Sequence, residues 1–180
     1  LRELDISNFN TENTINIAYM FSSMTFLFNL DLSHFNTKNV KDMSHLFESC
    51  ESLQSVDISS FDTSSVLDMS SMFKECRSLL SLDLSSFNTG NVKNMSQMFS
   101  GCTYLSEINI DNFDTKKVTD MSYMFQFCRK VLKLNLNNFN TEKVISMKGM
   151  FQSCEYLNSL VISSFKTNNV KDMSYLFQGC

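Results

Sequence analysis

Leu82-Asp83-Leu84-Ser85-Ser86-Phe87-Asn88-Thr89 decides the fold, because near-copies of it return every 26 residues along the chain. The equivalent of Leu82 stands at Leu4, Leu30, Val56, Ile108, Leu134 and Leu160, so the register holds seven times without insertion or deletion. A fixed period of this size marks stacked units, each able to bury its apolar side only against its neighbours. Residues 1–180 therefore read as a single repeat array of seven 26-residue repeats, although length alone suggests one domain or two small ones. Leu1 and Cys180 both fall inside a unit and neither end carries a polar cap, so the chain reads as a fragment of a longer protein.

The unit from Leu30 to Ser55 shows what each repeat builds. Leu30 and Leu32 alternate with Asp31, which predicts a short strand with two leucines inward and the carboxylate outward. Ser33-His34-Phe35-Asn36-Thr37 follows as a turn, rich in groups that bond their own backbone. Asp42 then reads as a helix N-cap, with Met43, Leu46, Phe47 and Cys50 at i, i+3, i+4 and i+7 on one helix face. Parallel strands lie about 4.8 Å apart and packed helices roughly 8–10 Å, so strands on one side and helices on the other should curve the stack. The predicted fold is an α/β solenoid of leucine-rich-repeat type: a right-handed arc, short parallel strands on the concave face, short helices on the convex face.

Columns of identical residues support the register. Phe35 and Phe47 each recur in every unit, and the two columns hold 14 of the 17 phenylalanines. Thr37 also recurs seven times, and a hydroxyl in every rung is expected to satisfy turn backbone or stacked neighbours. The first unit departs in its second half, with Thr14, Asn16, Ile17 and Met24 replacing the usual residues and Phe26 and Phe28 added. That drift reads equally as adaptation to an edge or as divergence.

Composition excludes several classes. No apolar run approaches the 18 or so residues of a membrane span, so this segment should not insert into a membrane, and no signal peptide opens the chain. Net charge is −4, but residues 1–107 carry 6 Lys+Arg and 13 Asp+Glu, giving −7, whereas residues 108–180 carry 9 and 6, giving +3. Such a gradient can steer a protein partner. It lacks the basic, aromatic-interleaved face of a nucleic-acid binder, so no nucleic acid is expected.

The chemistry-bearing residues are mostly columns too. Cys50, Cys76, Cys102, Cys128, Cys154 and Cys180 recur once per unit, without the close pairs of a metal site, so no metal or cofactor is expected. Disulfides between neighbouring rungs are conceivable at strand spacing, but the favoured reading is buried thiols acting as small hydrophobes. The 12 methionines read as core filling. His34 and His45 have no recurring nucleophile beside them, so no enzyme is expected. Lys116, Lys117, Arg129 and Lys130 form a small basic cluster, read as solvated.

The outward strand position is the candidate binding site. It reads Asp5, Asp31, Asp57, Asp83, Asn109 and Asn135, ending at Val161. Stacked carboxylates repel one another, so the strip either meets a basic peptide or a cation, or each Asp is solvated or bonded to its own turn.

The stretch Asp68-Met69-Ser70, Met72-Phe73, Cys76, Ser78-Leu79, Ser81-Leu82-Asp83-Leu84-Ser85 and Phe87-Asn88-Thr89 resembles the BspA-like leucine-rich repeats. It is similar in particular to their 26-residue mycoplasma form, a domain of unknown function in surface proteins. The resemblance covers all seven units and is weakest between Thr14 and Phe28. It implies a bacterial cell-surface or secreted protein, often a lipoprotein or wall-attached, with an adhesive or host-interacting role and no catalytic motif. The expected function is thus a non-enzymatic binding module that engages a protein ligand, such as a host extracellular protein, through the concave strand face. The alternative is a structural spacer that projects another domain from the cell surface. The uncapped ends also predict end-to-end self-association.

Overall fold

In the computed structural model, which describes residues 1–180, each 26-residue step of sequence adds one coil to a stack. On one side the coils carry three-residue strands: β1 (Ser81–Asp83), β2 (Glu107–Asn109), β3 (Lys133–Asn135) and β4 (Ser159–Val161). β1 pairs in parallel with β2, setting Leu82 opposite Ile108 and Asp83 opposite Asn109, and β3 pairs likewise with β4. Leu82 and Leu134 are buried between exposed flanking residues, the alternation that the sequence predicts. On the other side runs a second parallel ladder, whose bridges pass from Asn16 to Asp42, Asp68, Asn94, Asp120, Ser146 and Asp172. Between the two ladders lies one continuous cluster of 46 buried apolar residues.

The predicted helix is absent. From Met43 to Cys50 the chain forms consecutive turns, and its N–H groups divide between two kinds of acceptor. Met43, His45, Phe47 and Ser49 donate out of the coil to the carbonyls of Asp68, Ser70, Met72 and Lys74 at 2.7–3.0 Å. Leu46, Glu48 and Cys50 instead close turns on Met43, His45 and Phe47, three residues back. His45 and Ser49 sit at φ 58° and 59°, the left-handed conformation wanted at the third residue of a type II turn. The same pair recurs as Ser71 and Glu75, Gln97 and Gly101, Tyr123 and Phe127, Gly149 and Ser153. The structural period is therefore four residues, not 3.6. Apolar residues at 43, 46, 47 and 50 fit both periods, since eight residues are too few to separate them.

Two corollaries follow. Asp42 caps a turn and not a helix: its Oδ1 accepts the Ser44 N–H at 2.9 Å, as Asp68, Asp120 and Asp172 do for Ser70, Ser122 and Ser174. The turn side also keeps strand spacing, because Lys41 N donates to Ile15 O, Leu67 to Lys41, Lys93 to Leu67 and Thr119 to Lys93 at 2.8–2.9 Å. The spacing mismatch expected to bend the stack into an arc does not exist, and with it goes the ground for naming a concave and a convex face.

Polar columns lock the coils where apolar ones pack. Thr63 Oγ1 accepts the Asn88 N–H at 2.8 Å and donates to the Asn88 carbonyl at 3.0 Å. Thr89 does the same for Asp114, Thr115 for Asn140 and Thr141 for Lys166. One buried hydroxyl thus satisfies both backbone polar groups of one residue in the next coil. The turn-layer phenylalanines Phe21, Phe47, Phe73, Phe99, Phe125, Phe151 and Phe177 stack in sequence, with centroids 5.4–6.0 Å apart and ring planes within 22°. Of the divergent residues in the first unit, Ile17 is buried and Asn16 keeps the ladder, while Phe26 and Phe28 are exposed.

Replacing Thr89 by Val preserves its shape but leaves both polar groups of Asp114 without their partner. Each such loss costs about 1–3 kcal/mol. A lower urea midpoint for Thr89→Val, with Thr89→Ser close to the wild type, is the expected outcome of denaturation curves.

Candidate functional site

Five of the six outward strand-side residues are held by the turn that follows them, and Asn109 by the neighbouring coil. Asp5, Asp31, Asp57 and Asp83 accept, through Oδ1, the N–H of Ser7, Ser33, Ser59 and Ser85 at 2.9–3.0 Å. Asn135 Oδ1 accepts the Asn137 N–H at 3.2 Å, and Asn109 Nδ2 donates to Asp83 Oδ1 at 3.1 Å. A short polar side chain that bonds the backbone two residues on is the means by which this turn is fixed. Local bonding therefore accounts for the residue type in this column, and it also fixes where each carboxylate points.

The column is one continuous surface. All six side chains are exposed, Asp57 and Asp83 border one shallow depression of about 340 Å³, and Asp83 and Asn109 border the next, of about 360 Å³. Hydrogen bonds hold the carboxyls below their ordinary value of 3.8: the Ser7, Ser33 and Ser85 backbone N–H groups for Asp5, Asp31 and Asp83, and the Ser59 hydroxyl, then its N–H, for Asp57. The neighbouring charge of Asp31 pushes Asp57 the other way. With four carboxylates in one outward line, this face can attract a cationic group by charge.

The cysteine column faces the interior. Cys50, Cys76, Cys102, Cys128 and Cys154 are buried free thiols, and each donates at 3.1 Å to the carbonyl of the turn-layer Phe in the preceding coil, from Phe21 to Phe125. Burial pushes Cys50 up to about 11 and Cys154 up to about 12, and raises the three thiols between them as well. No group of three or more His, Cys, Asp or Glu side chains is placed to hold a metal ion. His45 is drawn into a surface network, with Nδ1 2.7 Å from Glu48 Oε2 and its ring stacked on Tyr19 at 4.2 Å. His34 Nε2 bonds the Ile6 carbonyl at 2.9 Å. The two histidines serve packing and turn geometry.

One surface feature escaped the column-by-column reading. The largest groove lies at the corner between the turn layer and the strand side, around Glu75, Arg77, Gly101, Tyr104, Phe127 and Arg129. Its signal in the sequence was a break in one column, a phenylalanine where other units place Ser, Glu or Gly.

Comparison with known proteins agrees with the fold. A family model described as "Mycoplasma protein of unknown function, DUF285" matches residues 2–108 and again 102–180. The crystal structure of a T. pallidum leucine-rich-repeat protein superposes with a TM-score of 0.52 at 18% identity, over 82% of this chain and 62% of that one. At that identity the likeness is one of fold, and this chain spans less than two thirds of the other's length. No curated protein matches.

Two outcomes follow from these geometries. Carboxyls depressed in the folded state stabilise it above their unfolded value and lose that contribution as pH falls through the folded one. Thermal midpoints should therefore be flat above pH 5 and decline below about 4. In the native 180-residue chain, a thiol reagent at pH 8 should modify the exposed Cys180 quickly and the other five cysteines only on unfolding.

Proposed function

The chain belongs to the DUF285 family of mycoplasma proteins, within the BspA-like leucine-rich repeats, and from that premise we propose that it is a non-enzymatic, cell-surface or secreted module that binds a protein ligand. Its seven rungs form a scaffold, and its contact surface is the outward strand-side line of Asp5, Asp31, Asp57, Asp83, Asn109 and Asn135. The observation that carries this reading is the alignment of the four carboxylates, each held through one oxygen and presenting the other to solvent. A partner presenting Lys or Arg side chains at strand spacing, about 4.8 Å, would meet them in register. Repeat families and leucine-rich-repeat folds typically act by displaying such surfaces rather than by catalysis. A bacterial surface location and adhesion to a host extracellular protein agree with the family's mycoplasma membership.

A spacer that only projects another domain is the second reading. It is favoured by the strict repetition of the buried columns, which needs nothing but stacking to explain it.

The triple variant Asp31→Asn, Asp57→Asn, Asp83→Asn separates the two. Asn keeps the Oδ1 acceptor for the turn, as Asn135 shows, and removes only the charge. Against an immobilised panel of extracellular matrix proteins, the wild type should bind at least one member and the triple variant should lose about tenfold or more in affinity, roughly 1.4 kcal/mol. Equal binding by both, or no binding by the wild type, would favour the spacer.

A further inference from the structure

Lysine follows a rule of its own in the later coils. Lys93, Lys117, Lys143 and Lys171 fall one per unit in four consecutive units, from that of Leu82 to that of Leu160. They flank the inward position of Val92, Val118, Val144 and Val170, so their side chains stand outward, and all four are exposed. No unit places Asp or Glu at either flanking position. Lys74, Lys116 and Lys166 pair with Glu48, Asp114 and Glu142. The four outward lysines have no carboxylate within 4 Å. Lys117 meets only the neutral Oδ1 of Asn91, at 2.7 Å. Asp120 and Asp172, one position further along, spend Oδ1 on the Ser122 and Ser174 N–H groups. Lys41 also occupies one of these positions, cut off from the four by Ser65 and Leu67 in the intervening unit.

The aspartate line is the matching half. Asp5, Asp31, Asp57 and Asp83 fall one per unit in four consecutive units, and Asn109, Asn135 and Val161 follow. The carboxylates thus end in the unit where the lysines begin. None of the four joins an ion pair of its own chain. Nor can the two lines meet within one copy. The lysines lie along the turn-side ladder, where Lys93 N bonds Leu67 O, and the aspartates along the strand side, with the core between.

We propose that a second copy of the chain docks its lysine line on the aspartate line of the first, side by side, one ammonium against one carboxylate per coil. The proposal rests on the aspartate line being a contact surface, and it names one occupant of that surface. Both lines advance by the same coil spacing, about 4.8 Å, so aligning one pair brings the other three opposite each other. The lysines alternate between two positions two residues apart, a side step that their flexible stems can span. A lone exposed ion pair adds little, whereas four made by one docking act as a multivalent contact. Ser55, Ser59, Ser81 and Ser85 surround Asp57 and Asp83 with a shallow floor on which lysine stems can lie. The interface is heterologous, so a docked pair still presents one free line of each sign and further copies can add.

Sedimentation velocity of the chain tests this. At about 50 mM salt the wild type should form dimers and larger species as concentration rises, and at about 500 mM its association should weaken tenfold or more. Lys93→Gln, Lys117→Gln, Lys143→Gln and Lys171→Gln together should leave monomers, and so should Asp31→Asn, Asp57→Asn, Asp83→Asn. Mixed in equal amounts, the two variants should form a heterodimer and stop there, since one keeps the aspartates and the other the lysines. Every substituted side chain is exposed, so both variants should keep the wild-type unfolding midpoint. A wild type monomeric at low salt, variants that associate as it does, or a mixture that stays monomeric overturns the proposal. Pairing through apolar ends would survive both sets of substitutions and high salt, and so counts against it. The matrix panel reads the host-ligand claim separately. Matrix binding by a chain that stays monomeric strikes self-docking alone, and a heterodimer without matrix binding strikes the host ligand alone.

Discussion

Every part of this molecule obeys a single repeat distance, the spacing of hydrogen-bonded parallel backbone, about 4.8 Å. Peptide ladders hold that distance on the strand side and on the turn side alike, so any column of side chains must stack at it. The phenylalanine rings illustrate the consequence. Their centroids are 5.4–6.0 Å apart, more than the coil spacing, so successive rings are displaced sideways by roughly 3 Å, the offset stacking that aromatic quadrupoles favour. The glutamines obey the same rule in polar form: the Gln126 amide donates to Gln152, which donates to Gln178. A helix could not join such a stack without spreading the coils apart, and the chain avoids it by folding into turns that spend half their N–H groups on the next coil.

This constraint also explains which features were legible in the residues. Leu82, Phe87, Thr89 and Cys102 recur because burial at a fixed spacing admits few alternatives, so the period, the parallel pairing and the inward columns could all be read directly. The turn layer could not. Its apolar pattern of Met43, Leu46, Phe47 and Cys50 satisfies a four-residue and a 3.6-residue period equally over eight residues. The side chain of Asp42 bonds an N–H two residues on in a turn, much as it would at a helix start. Left-handed backbone is usually announced by glycine, yet here Tyr, His, Ser, Gln, Glu and Phe adopt it in most coils. The ladder bonds flanking each of these residues compensate the strain, and those bonds come from another coil, where no local pattern can show them.

The outward surface divides in the same way. The aspartate line was visible because it is a column, and the fold supplies a structural reason for each of its aspartates and for Asn135: an acceptor for the next turn. The reason covers the Oδ1 atom and not the charge, since Asn performs that task at Asn135 and, on the turn side, at Asn16 and Asn94. Four carboxylates in adjacent coils repel one another, and the Asp31 charge offsets a small part of the lowering that the Ser59 hydrogen bonds impose on Asp57. Turn geometry alone would be served as well by asparagine, without that repulsion, so the retained negative charge is what the turn leaves unexplained.

The corner groove reverses this logic. In a stack where each coil touches only its neighbours, an outward substitution disturbs the core little and its effects stay local. A column can therefore lose its regularity at one point while the scaffold persists. Phe127 on left-handed backbone, Gly101 opened beneath Glu75, and Arg77 and Arg129 two coils apart are such a local departure, confined to three adjacent coils. None of them is needed to keep the repeat distance, which Phe127 itself keeps by donating its N–H to the Gln152 carbonyl at 2.8 Å. In a fold governed by repetition, conformity reports what stacking demands, so the residues that depart from it at a cost are the ones whose chemistry stacking does not explain.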